Sequence, residues 1–584
     1  MDDMPIIVDM GLGAHDVFFD DLLVMIQAQR DYNNAAERAL RLQRERHETL
    51  RSLRASFDWE AASTEERYQF YRRLTDSTCY WNSGFSNLRD IFRPEEIEQL
   101  LIESVIDRVD NRFFEKERFI ENVARGGYKD EPPAVADESG NPLSSPRRRT
   151  PVHLALAVEP NVVRNLFDVY DRFDVNYVDE SGLTHFHVAC WKQCADIVDQ
   201  FLEHGHDPNR RWPATGDTAL HMAAANGRRE VIASLLNGGA DPNLLNDEGS
   251  TAFHLICKED YEEDLVNAFF ELSRDNNHPV PVNAQDNEGN TLLILTLDNG
   301  HKRLVESLLR QGADPNLAEA EGLTPLHVIC KSTEDDDLVD FFFHINDELQ
   351  QTVQIDKLDN EGMTPLKWAV VNLLPHVLDV LLDRGADTSN FAFPAEDYFY
   401  AFLDDDYEWD PSELLRQASG ILAVIERLEG RGYELSRSDA LMIMTFFHRN
   451  GLFQYSENLA ELENCWRDQD FVRRANELKI RPDLSLYELM RLRPEEAENR
   501  FAYIEYHELA CKKKSQTRLP VRHLKACVLH LCEKLARGFF RRWALNSLLE
   551  LTRDRLPYLC CDAIVERLTN ADLRLICMSA TVEN

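Results

Sequence analysis

Between Thr150 and about residue 390, apolar residues come in short bursts, each opened by a threonine and closed by a turn. The opening phrase stands as Thr150-Pro-Val-His153, Thr184-His-Phe-His187, Thr218-Ala-Leu-His221, Thr251-Ala-Phe-His254, Thr291-Leu-Leu-Ile294, Thr324-Pro-Leu-His327 and Thr364-Pro-Leu-Lys367. The threonines lie 34, 34, 33, 40, 33 and 40 residues apart. A second phrase follows in phase: Gly205-His-Asp-Pro-Asn209, Gly239-Ala-Asp-Pro-Asn243, Gly312-Ala-Asp-Pro-Asn316 and Gly385-Ala-Asp387. Threonine suits a helix N-cap and proline the first helical position, so each opening phrase predicts a helix start. Glycine suits the left-handed residue that ends a second helix, and Asp-Pro-Asn makes the turn to the next unit. A histidine one turn in, as at His153, His221, His254 and His327, is placed to bridge backbone groups of neighbouring units, a structural role. Two short helices cannot bury their apolar faces alone, so the seven units must stack.

Two motifs recurring in phase at this period resemble the ankyrin repeat, seven times over. The fifth unit departs from the pattern, with Leu292 for proline and Ile294 for histidine, and should still stack because both are apolar. Two units are lengthened to 40 residues, around Asp275–Pro281 and Asp347–Thr352, and carry acidic loops at Glu259–Asp264 and Glu334–Asp337. Insertions in a solenoid fall on loops, often on the binding face. The expected hairpin tips hold Asp179, Glu180, Asp247, Glu248, Asp286, Glu288, Glu319, Glu321, Asp359 and Glu361. In a stacked array these line up along one edge of the concave surface. They read either as local turn formers or as an acidic ladder that steers a basic protein target.

The flanks lack the repeat phrase. Residues 1–126 read as a helical region, with helix starts at Thr64 and Pro94, either shielding the first repeat or forming a coiled coil. Residues 127–149, rich in glycine and proline and ending in Arg147-Arg148-Arg149, read as a linker whose basic run is a solvated cluster or a nuclear-import signal. Residues 391–483 read as a helical connector, beginning aromatic and acidic from Phe393 to Trp409. Helical blocks follow at Pro411–Leu428, Ser438–Asn450, Leu459–Leu478, Leu484–Leu492, Pro494–Lys512, Val521–Phe540 and Trp543–Asp554, with Lys512-Lys513-Lys514 closing one of them. The fold class is all-α: a repeat solenoid between an N-terminal and a C-terminal helical region.

Charge narrows the partners. The chain of 584 residues carries −39, yet Arg481 to Asn584 holds 18 Lys and Arg against 14 Asp and Glu, a net of +4 that leaves −43 elsewhere. So acidic a body argues against nucleic acid and anionic membrane as partners of the array. The start, MDDMPIIVDMG, lacks a basic flank and a long apolar run, so no secretory signal is expected, and no stretch is apolar enough to cross a membrane. The twelve cysteines follow no disulfide or metal spacing and read as reduced thiols of an intracellular, cytoplasmic protein, with the nucleus left open by the arginine run. No nucleotide loop, nucleophile elbow or zinc-binding spacing is present, so no cofactor and no catalysis are expected.

The C-terminus carries one more motif. It reads Leu556-Pro557-Tyr558-Leu559-Cys560-Cys561-Asp562-Ala563-Ile564-Val565-Glu566-Arg567-Leu568-Thr569-Asn570-Ala571-Asp572-Leu573. Leu-Pro opens a helix whose apolar stripe is Leu559, Ala563, Ile564 and Leu568, and Thr569 or Asn570 caps the next. This resembles the start of an F-box. With Leu484-Ser-Leu-Tyr-Glu-Leu489, Arg493-Pro-Glu-Glu496 and Gly538-Phe-Phe-Arg-Arg-Trp543 ahead of it, residues 484–580 resemble the PRANC domain that follows ankyrin arrays in poxvirus and parasitoid-wasp proteins; Tyr128-Lys-Asp-Glu-Pro132 resembles the wasp group. The resemblance implies recruitment of a Skp-type adaptor and hence a cullin-based ubiquitin ligase, the array selecting the protein to be ubiquitinated. It also implies that Leu556, Pro557, Leu559, Ile564, Leu568 and Leu573 form or support the docking surface. A plain scaffold or inhibitor that sequesters its target is the other reading.

Overall fold

The computed structural model describes residues 37–38, 41–78, 81, 85, 88–106, 113–132, 146–259, 263–332, 337–389, 391–393, 411–452, 462–511, 521–553 and 555–582. Most of the acidic loops at 259–264 and 334–337, the aromatic stretch to Trp409, the Lys512–Lys514 run and most of the linker lie outside them. Contacts divide the chain into two units, Met1–Val280 and Pro281–Asn584.

The first unit opens with α1 (Thr64–Thr78), α2 (Pro94–Ile106) and α3 (Phe113–Arg125). Four helix pairs follow: α4 (Pro151–Leu154) with α5 (Pro160–Val169), α6 (His185–Trp191) with α7 (Ala195–Glu203), α8 (Ala219–Ala224) with α9 (Arg229–Asn237), and α10 (Ala252–Cys257) with α11 (Glu263–Asp275). First helices stack on first helices and second on second: α4, α6, α8 and α10 in one row, α7, α9 and α11 in another. The N-terminal region joins the same scheme, because α2 packs on α4 and α3 on α5. Even the closing turn is shared. Gly126 N–H donates to Asn122 O at 3.0 Å and Gly127 N–H to Ala124 O at 2.9 Å, as Gly238 does to Ser234 and Gly239 to Leu236. Gly127 has φ +76° and Gly239 φ +90°, the left-handed region that favours glycine. The pair α2–α3 is therefore a helical cap with repeat-like geometry and no repeat phrase.

Arg148 lies at the centre of this junction rather than in solvent. Its guanidinium pairs with Glu98 at 2.8 Å and Asp130 at 3.0 Å and lies 5.5 Å from the Tyr177 ring. Arg148 N–H also donates to Val178 O, and Val178 N–H to Pro146 O, so the end of the linker runs alongside the first hairpin.

In the second unit the repeats continue as α12 (Leu292–Asp298), α13 (Lys302–Arg310), α14 (Pro325–Lys331), α15 (Leu338–Glu348), α16 (Pro365–Val371) and α17 (Pro375–Asp383). The departing fifth unit stacks as expected: Leu292 and Ile294 are buried, and α12 packs on α14.

Beyond the repeats come α18 (Pro411–Gly430), α19 (Arg437–Arg449), α20 (Gln469–Glu477), α21 (Leu486–Arg491), α22 (Pro494–Arg500), α23 (Tyr503–Cys511), α24 (Val521–Leu551), α25 (Tyr558–Arg567) and α26 (Asn570–Val582). A two-stranded antiparallel pair, β1 (Lys479–Arg481) and β2 (Leu484–Ser485), is the one sheet among the described residues. Helix α18 lies on α17 and is tied to it by Arg427–Asp379 at 2.6 Å and an Arg431–Asp383 pair.

Several expected helical blocks differ: 484–492 opens as β2 before α21, and 494–512 breaks at Phe501 and Ala502 into α22 and α23. The block 459–478 breaks at Asp468, whose carboxylate caps α20. The blocks 521–540 and 543–554 are one helix of 31 residues, because Arg541 and Arg542 are good helix formers held by Asp562 and Glu429.

Candidate interaction surfaces

The repeat histidines are structural. Thr218 N–H donates to His221 Nδ1 at 3.2 Å, so Nε2 must carry the ring proton, and it donates to Ser250 O at 2.9 Å. His153 reaches Tyr177 O and His327 reaches Met363 O, both at 3.2 Å and by the same tautomer. Each imidazole thus satisfies a cap N–H inside its repeat and a carbonyl of the next. Burial lowers the pKa of each of these rings. Asparagines of the second phrase do the same on the outer turn. Asn209 accepts from Asp241 N–H at 2.8 Å and donates to Gly239 O at 3.2 Å, and Asn316 accepts from Gln354 N–H and donates to Thr352 O, both at 2.7 Å.

The hairpin tips divide their acids into two classes. Asp179 accepts from Leu183 N–H at 2.9 Å, Asp286 from Asn290 N–H at 2.8 Å, Glu319 from Leu323 N–H at 2.8 Å and Asp359 from Met363 N–H at 2.8 Å. These four close the turn, and Asn246 does so in the tip that lacks an acid there, accepting from Ser250 N–H at 2.9 Å. Asp359 also accepts from Trp368 Nε1 at 2.7 Å. The second acids, Glu180, Glu248, Glu288, Glu321 and Glu361, are exposed. Asp247 is exposed too and pairs with Arg211 at 2.8 Å. Adjacent tips are bonded to each other. In the first unit Asp247 N–H donates to Thr215 O at 3.0 Å; in the second, Ala320 N–H donates to Glu288 O and Asn360 N–H to Glu321 O, both at 2.9 Å. The open glutamates therefore sit on a braced edge within each unit.

The C-terminal surface is apolar. Pro557 precedes α25 as its N-cap, and the helix turns Cys561 and Val565 inward onto α24. The expected stripe faces the other way: Leu559 is 77 % exposed, Tyr558 59 %, Ile564 42 % and Leu556 37 %. Leu568 is half-buried, and Leu573 is fully buried on α26. Two arginines of α24 fix α25 in place. Arg537 donates to Leu568 O at 2.6 Å and to Val565 O and Glu566 O at 2.9 Å, while Arg541 pairs with Asp562 at 2.7 Å. Burial lowers the Arg537 pKa, whereas the Asp562 hydrogen bond raises that of Arg541. Thr569, not Asn570, makes the next cap: its hydroxyl accepts from Asp572 N–H at 3.2 Å and donates to the Asp572 carboxylate at 2.7 Å. Sequence reasoning missed Arg537 and Arg541; their spacing of four on one helix face was the available signal.

Among the described residues no group of His, Cys, Asp and Glu could hold a metal, and no helix is long and apolar enough to cross a membrane.

Comparison with known proteins defines the class. A family model for ankyrin repeats in three copies matches residues 220–319 and 293–391, and a second ankyrin-repeat model matches residues 192–236. Residues 192–391 carry ankyrin repeats, and the array is a scaffold for protein–protein interaction. Among relatives, Neurogenic locus notch homolog protein 1 of Danio rerio is 32 % identical over 133 residues, 23 % of this chain and 5 % of that protein. Ankyrin repeat protein nuc-2 of Neurospora crassa is 32 % identical over 195 residues, 33 % of this chain and 17 % of its own length. The p105 subunit of nuclear factor NF-kappa-B from Gallus gallus is 26 % identical over 270 residues, 41 % and 26 % respectively. The chain thus spans about a quarter or less of these relatives. The solved ankyrin repeat domain of Bcl-3, a member of the IkappaB family, covers 38 % of this chain and all of its own at 20 % identity and a TM-score of 0.32.

Proposed function

We propose that this chain is a non-catalytic adaptor whose ankyrin array holds a protein target and whose C-terminal helix docks a Skp-type adaptor of a cullin-based ubiquitin ligase. The exposure of Leu559 carries the reading. A leucine 77 % open to water, with Tyr558 and Ile564 beside it on a helix whose other face is anchored, is an unfilled apolar anchor. Helix-in-groove interfaces take most of their energy from a few such side chains. The F-box-like Leu556-Pro557 start supports the identity of the partner, and the net +4 of residues 481–584 suits an acidic one. The ties between α18 and α17 support the geometry a ligase adaptor needs, since they hold the C-terminal helices fast against the last repeat.

The test is capture of a purified Skp-type adaptor by the full-length chain, beside the Leu559→Ser, Ile564→Ser double variant. Capture by the unaltered chain and its loss in the variant, with thermal stability unchanged, is expected. Capture that survives the double change overturns the assignment of the surface. No capture by the unaltered chain overturns ligase recruitment and leaves a sequestering scaffold.

A further inference from the structure

Behind the repeats, two helices bring together four residues that neither surface uses. Cys465 lies in the helix at residues 462–467, and Asp468 follows three residues on as the N-cap of α20, accepting from Asp470 N–H at 3.0 Å. The other Asp468 oxygen lies 2.9 Å from Nε2 of His523, on the first turns of α24. Cys527 is one helical turn beyond His523 and shares its face. The Asp468–His523 contact holds the two segments side by side, and a side-chain hydrogen bond joins Cys465 to Cys527. The Phe471 ring stands edge-on to the imidazole at 5.5 Å. Both thiols are buried, while His523 and Asp468 at the rim keep 11 % and 19 % of their side chains open to solvent.

We infer that Cys465 and Cys527 are a peroxide-responsive dithiol, which closes to a disulfide and staples the helix at residues 462–467 to α24. The two sulfurs are unequal. A hydrogen bond from Cys527, aided by the nearby His523 ring, pulls the Cys465 thiol down to about 7 against the opposing effect of burial. Cys527, donating that bond and buried, is pushed well above its usual range. Cys465 is thus the attacking thiolate and Cys527 the resolving thiol. Burial acts oppositely on Cys190, Cys257, Cys330 and Cys532, which it pushes up alone or as the chief cause.

The chemistry balances with a hydroperoxide as oxidant. Cys465 thiolate attacks the peroxide, forming an S–O bond and breaking O–O; with hydrogen peroxide the leaving hydroxide takes a proton and departs as water. Cys527 sulfur then attacks the sulfenic acid, forming S–S and breaking S–O. The displaced hydroxide leaves with the Cys527 proton as a second water. Two thiols and one hydrogen peroxide give one disulfide and two waters, and a dithiol reductant reverses the change.

The test is peptide mapping of the full chain under non-reducing conditions, after graded hydrogen peroxide at pH 7. A peptide linking Cys465 to Cys527, lost on treatment with dithiothreitol, is expected. Cys527→Ser should leave a sulfenic acid at Cys465 that dimedone traps. His523→Gln should slow linkage roughly tenfold at pH 7, with the rate recovered at higher pH, because less thiolate is present. Both thiols staying reduced while the exposed Cys511 and Cys560 oxidise would overturn the inference. Oxidation of Cys465 without linkage to Cys527 would overturn it equally. The mapping of the unaltered chain decides the matter even if a variant fails to fold.

Discussion

Helix α8 in the array and helix α25 near the C-terminus are both short and both rich in apolar residues. In α8 all six residues from Ala219 to Ala224 are buried. In α25 only Cys561 and Val565 are, and Leu559 stands 77 % exposed. The difference is one of neighbours. Helix α8 is packed by α6 and α10 on either side and by α9 behind, whereas α25 rests on α24. Apolar density says that a helix wants partners; the number of elements stacked around it decides whether the chain supplies them. A repeat helix spends its apolar surface on stability, and α25 keeps half of its surface for something else.

The comparison breaks first in acid. Burial pulls His187, His507 and His530 down to about 4, lowers His153, His221 and His327, and takes His185 well below its usual range. A histidine kept neutral in the fold protonates readily once unfolded, near pH 6.5. Its contribution is therefore complete above that pH and is lost as pH falls toward 4. Glu533, raised to about 7 by burial, runs the other way over the same range, and burial raises Glu426 too. The histidines outnumber them, so the denaturant midpoint of the whole chain should fall steeply between pH 6.5 and 4. A midpoint flat over that window would mean that the imidazoles are not the buried bridges described above. Next in size, Val328→Pro removes the N–H that donates to Thr324 O at 3.1 Å and should cost about 3 kcal/mol or more by equilibrium unfolding.

Much of this is legible in the sequence alone. Thr324, His327 and Gly312 announce cap, bridge and turn at a fixed period, because stacking needs the same chemistry in each copy. The N-terminal pair α2–α3 was legible only as helices. It stacks like a repeat without the phrase: Gly126-Gly127 supplies the turn, while Arg148 with Glu98 and Asp130 replaces the histidine bridge by long-range ion pairs that leave no local pattern. The stripe of α25 is legible in the sequence, and its direction is left open there between core and docking surface. Leu559 and Ile564 were as good a core face as Cys561 and Val565, and only α24 decides between them. The tip acids were read as one set and are two, since a side chain that accepts from a backbone N–H four residues on looks, in sequence, like one that does not.

Serine in place of Val565 or Leu559 tests α25 directly. Val565 is fully buried against α24, so Val565→Ser should lower stability by about 2 kcal/mol. Leu559→Ser should stay within about 0.5 kcal/mol, as surface changes do. Adaptor capture should respond in the reverse order, with Leu559→Ser losing it at unchanged stability. Equal thermal losses would place Leu559 in a packed interface and end the contrast with α8.

The smallest effect concerns the tips, where the same inward–outward contrast recurs between residues two apart. Asp286 accepts from the N–H groups of Glu288 and Asn290, so Asp286→Ala should cost about 1 kcal/mol, the loss of a turn-closing acceptor. Glu288 is exposed, and Glu288→Gln should leave stability unchanged. If the open glutamates steer basic partners, replacing Glu288, Glu321 and Glu361 by Gln should slow association with an oligolysine peptide at low salt. Added salt should slow the unaltered chain toward the same rate, because exposed charges are screened over roughly 8 Å at physiological ionic strength. An association rate that ignores both salt and the three substitutions would leave the outward acids as solvated surface, and Asp286 as the tip's one acid with a task.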